Sequence, residues 1–166
     1  MKVPQITASL QNSKLIACEL GFGLGKDYRQ HWSINNLKEY LAVDTNNYIC
    51  DYNKRYYKKH KNLKIINSSA EDFINSEQKF DILIASGEVF AYIEPEHVDD
   101  IFHKLKQRGV KIAIILGEGC MTEDIVWPDG TIEYNIKDRL IKNGFSDKQF
   151  YYQEHPSRVL KYLVMC

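Results

Sequence analysis

No apolar run in this 166-residue sequence approaches the roughly 20 residues that cross a bilayer, so no membrane-spanning helix is expected. Met1 to Lys14 carries no apolar core of a secretory leader, and the expectation is a cytoplasmic protein. Excess charge is also missing. The 22 Lys and Arg residues balance 22 Asp and Glu, so no overall field draws the chain toward nucleic acid or anionic lipid. Neither is an expected partner. Cys18, Cys50, Cys120 and Cys166 stand far apart, with no C-x-x-C and no Cys/His cluster. They read as reduced thiols, which excludes a disulfide framework and a zinc site. Repeats and low-complexity tracts are absent as well. The length fits one domain over residues 1–166, able to bury roughly 70% of its unfolded surface.

The most informative stretch is Leu15-Ile-Ala-Cys-Glu-Leu-Gly-Phe-Gly-Leu-Gly25. A short apolar run reads as a buried strand, and three alternating glycines permit a sharp turn and close approach of backbone to a ligand. The spacing excludes two phosphate-binding signatures. In a dinucleotide fingerprint the third glycine falls where Lys26 stands, and a P-loop requires Ser or Thr where Asp27 follows Lys26.

Further short strands are expected at Tyr40–Val43, Leu63–Ile66, Phe80–Ala85 and Val110–Leu116. Asp44 follows the second of these, 25 residues beyond Glu19, and both acids are expected at the carboxyl edge of a parallel sheet. A carboxylate there can accept from both hydroxyls of a ribose; Asp is also a preferred helix cap. Asn47 to Lys61 is expected to be helical, with Ile49, Tyr52 and Tyr56 facing inward. Lys54, Arg55, Lys58, Lys59, Lys61 and Lys64 then form a solvated basic face, for which RNA binding is the alternative. Tyr28 and Trp32 suit one face of a short helix, and Ser69 with Asp72 suits a helix cap. Pro95 starts an amphipathic helix with Val98, Ile101, Phe102 and Leu105 inside, closed by Gly109. Gly117 to Thr131 reads as a long irregular connection and a candidate wall or lid. Ile132, Ile136 and Leu140 suggest the next helix, ended by Gly144. Lys148–Tyr152 and Val159–Met165 have no room for a crossover helix between them and must pair antiparallel.

The E-x-G-x-G-x-G turn from Glu19 to Gly25 resembles the first motif of class I S-adenosylmethionine-dependent methyltransferases. Ala70-Glu-Asp-Phe73 is similar to the family's third motif, with Ser69 where an aspartate often receives the adenine amino group. Phe80-Asp and its apolar run, followed by Ser86-Gly87, resemble the fourth motif of the small-molecule branch. The [DNS]-P-P-[YFW] run of nucleic-acid amino methyltransferases is lacking. The resemblance extends from Leu15 to Cys166 and implies a single-domain α/β fold. Its Rossmann-like sheet would be mostly parallel, with a C-terminal antiparallel hairpin whose last strand inserts beside the fifth.

The resemblance implies S-adenosylmethionine as cofactor and no metal. Glu19, Gly21, Phe22 and Gly23 would take its methionine part and Asp44, with Thr45, its ribose. Ser69, Ala70 and Glu71 would surround the adenine, and Ser86 would also touch the cofactor. A small-molecule acceptor would be methylated beside Glu88 and Tyr92, the candidate catalytic residues. Fourteen N-terminal residues are too few to cover that acceptor, so a homodimer or a partner subunit is expected. A partner module without catalysis and an RNA methyltransferase remain alternatives.

Overall fold

The computed structural model describes residues 15–26, 28, 37–85, 89–110, 112–118, 123–146, 150–153 and 159–165. Its strands are β1 (Leu15–Leu20), β2 (Leu37–Asp44), β3 (Leu63–Asn67), β4 (Ile82–Ala85), β5 (Ile112–Glu118), β6 (Ile125–Val126), β7 (Ile132–Glu133), β8 (Phe150–Gln153) and β9 (Val159–Met165). The helices are α1 (Asn47–Tyr56), α2 (Ala70–Asn75), α3 (Pro95–Gln107) and α4 (Ile136–Lys142), with a 3-10 turn at Phe90–Tyr92. Seven strands form one sheet in the order β3-β2-β1-β4-β5-β9-β8. The first five are mutually parallel; β9 runs antiparallel between β5 and β8. The expected insertion of the last strand beside the fifth is therefore present.

Near-continuous apolar runs suit the central strands because both faces of the sheet are covered. Cys18, Leu20, Leu41, Val43, Leu83 and Ala85 pack with α2, α3 and α4. The alternate positions, Leu15, Ala17, Tyr40, Ala42, Ile82 and Ile84, pack instead with Phe22, Tyr28 and Tyr57. The period-2 alternation thus assigns each strand residue to one of two cores. Pro95 opens α3, and Val98, Ile101, Phe102 and Leu105 are its buried stripe, as expected. Burying side chains of this size contributes about 1.5–3 kcal/mol each. Cys18 and Cys50 are free and buried. Burial pushes both thiols upward. Cys120 and Cys166 lie outside the described residues, as does Trp32.

Two expectations are corrected. Helix α1 ends at Tyr56, and the residues it buries are Cys50 and Asn53, joined by Tyr57 just beyond its end. Tyr52 and Tyr56 are exposed. Asn53 goes inside because the glycine turn supplies an acceptor for it. The second correction concerns the stretch expected to be irregular. β5 runs on to Glu118, and β6 and β7 pair as an antiparallel ribbon. Its turn is closed by Gly130 N–H donating to Trp127 O at 2.9 Å, and Ile132 belongs to this ribbon rather than to α4.

The ribbon is braced against the main body by Arg139. Its Nε donates to Asp124 Oδ2 at 3.0 Å, its Nη1 lies 2.9 Å from Asp99 Oδ2, and its guanidinium covers the Tyr134 ring at 4.6 Å. Burial works to raise the Asp124 carboxyl, but hydrogen bonds from Arg139 and the Asn135 N–H outweigh it and hold Asp124 below the usual carboxylate range. A depressed acid stabilises the fold above its unfolded pKa and loses that contribution as pH falls through the folded value. Wild type is therefore expected to lose more stability between about pH 5 and 3 than Asp124→Asn does, read from urea midpoints. Equal losses would remove Asp124 from the acid sensitivity.

Candidate functional site

A cleft of about 510 Å³ opens at the carboxyl ends of the parallel strands. Its walls are Leu20 and Gly21 at the end of β1, Val43, Asp44 and Thr45 at the end of β2, and Ser68, Ala70 and Glu71 after β3. Val89, Tyr92 and Ile93 after β4 complete it. Open parallel sheets bind ligands at this edge, and the volume falls in the usual range of about 300–1,000 Å³ for ligand sites.

The glycine turn forms one side of the cleft and is held from three directions. Gly21, Gly23 and Gly25 have φ of 70°, 51° and 70°, the left-handed region that glycine tolerates best. Gly23 N–H donates to Asp44 Oδ2 at 2.8 Å, and Asn53 Nδ2 donates to Gly23 O at 2.7 Å. The Tyr57 hydroxyl donates to Leu24 O at 3.1 Å. One residue, Gly23, is thus gripped between the end of β2 and the inner face of α1. Asn53 is fully buried, with no partner for Oδ1 among the described residues, and the turn accounts for its polarity.

Asp44 lies at the cleft wall with both carboxylate oxygens oriented by backbone. Oδ2 accepts from Gly23 N–H, and Oδ1 accepts from Asn46 N–H at 2.8 Å. An ionised carboxylate offers about four lone-pair sites, so each oxygen retains capacity for one hydroxyl. Asp44 O meanwhile accepts from Ser68 N–H at 3.1 Å, drawing the β3 loop against the β2 loop.

The structure gathers Gly21, Asp44, Thr45, Ala70, Glu71 and Tyr92 around the cleft, six of the residues singled out from sequence. Glu19 is not among the cleft walls. It is buried beneath them and accepts a short hydrogen bond from the Tyr40 hydroxyl. Phe22 is buried too, its ring 5.9 Å from those of Tyr28 and Tyr57. Gly23 shapes the turn without lining the cleft. Ser69 is occupied as the cap of α2, its Oγ accepting from Asp72 N–H at 3.0 Å. Its neighbour Ser68 faces the cleft instead. Ser86 and Glu88 lie outside the described residues.

Sequence reasoning missed Leu20, Val43, Ser68, Val89, Ile93 and the clamp residue Asn53. Leu20 and Val43 could have been found by position, since each immediately precedes a strand-end residue already chosen. Asn53 gave no signal, because a polar residue in a helix reads as exposed. On the β4 side, Phe90 anchors the 3-10 turn by packing on Phe102 at 5.4 Å between centroids, which leaves Tyr92 72% exposed at the cleft mouth. The Tyr134 hydroxyl donates to Ile93 O at 2.5 Å and fixes this wall. Burial pushes that hydroxyl up to about 12.

The residues present fit S-adenosylmethionine. The cleft carries a carboxylate for a ribose diol, a glycine wall that admits a close chain, and apolar surface from Leu20, Val43, Val89 and Ile93. Its charged groups, Asp44 and Glu71, suit a cationic ligand.

The fold is that of class I S-adenosylmethionine-dependent methyltransferases. A solved methyltransferase of this type from Leishmania major matches with a TM-score of 0.77 at 14% identity, over 98% of this chain and 69% of that one. Another from Aquifex aeolicus matches with a TM-score of 0.65 at 14% identity, over 98% and 89% of the two chains. The glycopeptide N-methyltransferase MtfA matches with a TM-score of 0.71 at 9% identity, over 98% and 88%. No protein-family model and no curated protein matches the sequence. Among the described residues no helix is long and apolar enough to cross a membrane.

Proposed function

We propose that this protein is a cytoplasmic S-adenosylmethionine-dependent methyltransferase acting on a small-molecule acceptor. The observation that carries the reading is Asp44, aimed by two backbone N–H groups at the cleft wall with acceptor capacity left over. In this reading Asp44 accepts from the ribose hydroxyls, Gly21 lets the methionine chain approach, and Ala70 with Ser68 flanks the adenine. S-adenosylmethionine, when bound, supplies a methyl group already activated on a sulfonium. The chain's own contribution is alignment and exclusion of water, with a base needed only if the acceptor must lose a proton. Val89 and Ile93 provide apolar wall, and Tyr92 orients the acceptor through its ring or hydroxyl. Glu88, two residues beyond Ser86 in the same connection, is the proposed proton acceptor or anchor for a cationic amine.

Calorimetry with S-adenosylmethionine and S-adenosylhomocysteine tests the cofactor, and failure of folded protein to bind either ends the assignment. Labelled methyl transfer into fractionated metabolites, protein and RNA then identifies the acceptor. With an acceptor in hand, Tyr92→Ala is expected to raise its KM with cofactor affinity unchanged. Glu88→Gln is expected to lower kcat; turnover at the wild-type rate would remove Glu88 as base and as charge anchor. A second subunit over the exposed Tyr92 side belongs to the same proposal, and light scattering giving a mass near 19.4 kDa counts against self-association.

A further inference from the structure

The outer face of α1 carries three tyrosines at four-residue spacing, Tyr48, Tyr52 and Tyr56, which are 87%, 45% and 59% exposed. The Tyr52 and Tyr56 rings are stacked, 5.6 Å between centroids and 16° from parallel. Tyr56 also meets the buried Tyr57 edge-on at 4.8 Å, which fixes its tilt. The result is a short ladder of oriented rings facing solvent. Three large aromatics on one face are costly to leave in water and mark an interaction surface.

Cations are concentrated along the same stretch of chain. Arg55 lies seven residues beyond Tyr48, two helical turns, and so on the same side of α1. Its Nε donates to Asp51 O at 3.2 Å, holding the guanidinium along the helix. Lys54 is paired with Asp51 at 3.6 Å and Lys64 with Glu39 at 2.6 Å. Lys58, Lys59 and Lys61 are exposed and have no carboxylate partner among the described residues. The neutral charge of the whole chain is an average that conceals this local excess.

From these observations we infer that the outer face of α1 docks single-stranded nucleic acid. Bases stack on oriented aromatic rings while phosphates follow adjacent lysines, a combination that tolerates any sequence. A duplex keeps its base faces inside and has nothing to offer the ladder. An anionic membrane satisfies the lysines alone, and an acidic peptide leaves the rings idle. The surface begins just past Thr45, after β2, whereas Tyr92 lines the cleft from beyond β4. Docking there is independent of the proposed acceptor position and of the cofactor reading.

The test is fluorescence anisotropy with labelled oligouridylate and oligothymidylate of about 12 nucleotides, a duplex of equal length, phosphatidylserine vesicles and a polyglutamate peptide. Single strands are expected to bind at about 50 mM salt and to weaken steeply by about 200 mM. The double variant Tyr52→Ala/Tyr56→Ala is expected to lose at least about tenfold in affinity with its circular dichroism spectrum unchanged. The variant Lys58→Gln/Lys59→Gln is expected to flatten the dependence of affinity on salt. S-adenosylhomocysteine affinity, measured on the same samples, is expected to be equal in all variants, which separates this outcome from failure of the cofactor reading. Absence of single-strand binding at low salt overturns the inference. So does binding that ignores the tyrosines, or tighter binding of duplex, vesicle or peptide.

Discussion

Gly25→Ala is expected to destabilise the protein by roughly 2–5 kcal/mol, combining left-handed strain of about 1–2 kcal/mol with overpacking of about 1–3 kcal/mol. The residue sits at φ +70°, and a Cβ there would lie 2.5 Å from Tyr57 Oη and 2.8 Å from Phe22 Cζ. Neither neighbour can yield cheaply. Tyr57 is tied to Leu24 O, and Phe22 is enclosed by Tyr28, Tyr40 and Tyr57. At roughly 2–4 °C per kcal/mol, thermal melting should fall by roughly 4–20 °C. Gly109 is the control: its φ is +63°, yet a Cβ would meet nothing within 4 Å. Gly109→Ala should therefore show only the conformational cost of about 1–2 kcal/mol. Equal melting shifts for the two variants would mean that the Tyr57 and Phe22 contacts do not confine the turn.

Asp44→Ala is expected to weaken S-adenosylhomocysteine binding by about 1–3 kcal/mol, the range for hydrogen bonds to a charged group. That corresponds to roughly 5–150-fold in Kd. The same change frees the Gly23 and Asn46 N–H groups, so part of the loss comes through the glycine turn. Asn53→Leu separates the two contributions, because it releases Gly23 O while leaving the carboxylate in place. It should weaken ligands bearing the methionine chain more than it weakens adenosine, whereas Asp44→Ala should weaken both. Calorimetry that finds Asp44→Ala binding adenosine as well as wild type does would remove the ribose role.

The parallel half of the sheet was legible because burial on both faces forces apolar runs, and Leu15–Cys18, Tyr40–Val43 and Phe80–Ala85 are such runs. The antiparallel pairing of β8 with β9 was legible for a topological reason, since the short connection leaves no room for a crossover, whereas the place of β9 beside β5 was implied by the family resemblance. Gly109 and Gly144 fell where left-handed helix ends were expected, with φ of 63° and 88°. Helix α1 was misread on its facing because tyrosine suits either environment. The deciding partner of Asn53 is a backbone carbonyl, Gly23 O, 30 residues away in sequence. The β6–β7 ribbon was missed because each strand is two residues long, too short for alternation to show. At the site, strand-end logic located Asp44 and Gly21. It read Ser69 both as the cap of α2 and as an adenine contact; the cap is present, and Ser68 stands at the cleft wall in its place.

The strand order also governs how the chain assembles. β1 is the hub of the parallel sheet, bonded to β2 on one side and to β4 on the other, with Ala17 opposite Ile82. That second pairing joins residues 65 apart in sequence, so assembly at the hub is slow compared with a helical bundle of this size. β8 and β9 are sequence neighbours and can meet as a hairpin without waiting for the hub. Docking of that hairpin on β5 then becomes a late, separate event. Weakening the hairpin should chiefly hasten unfolding, whereas weakening the β1–β4 seam should chiefly retard refolding.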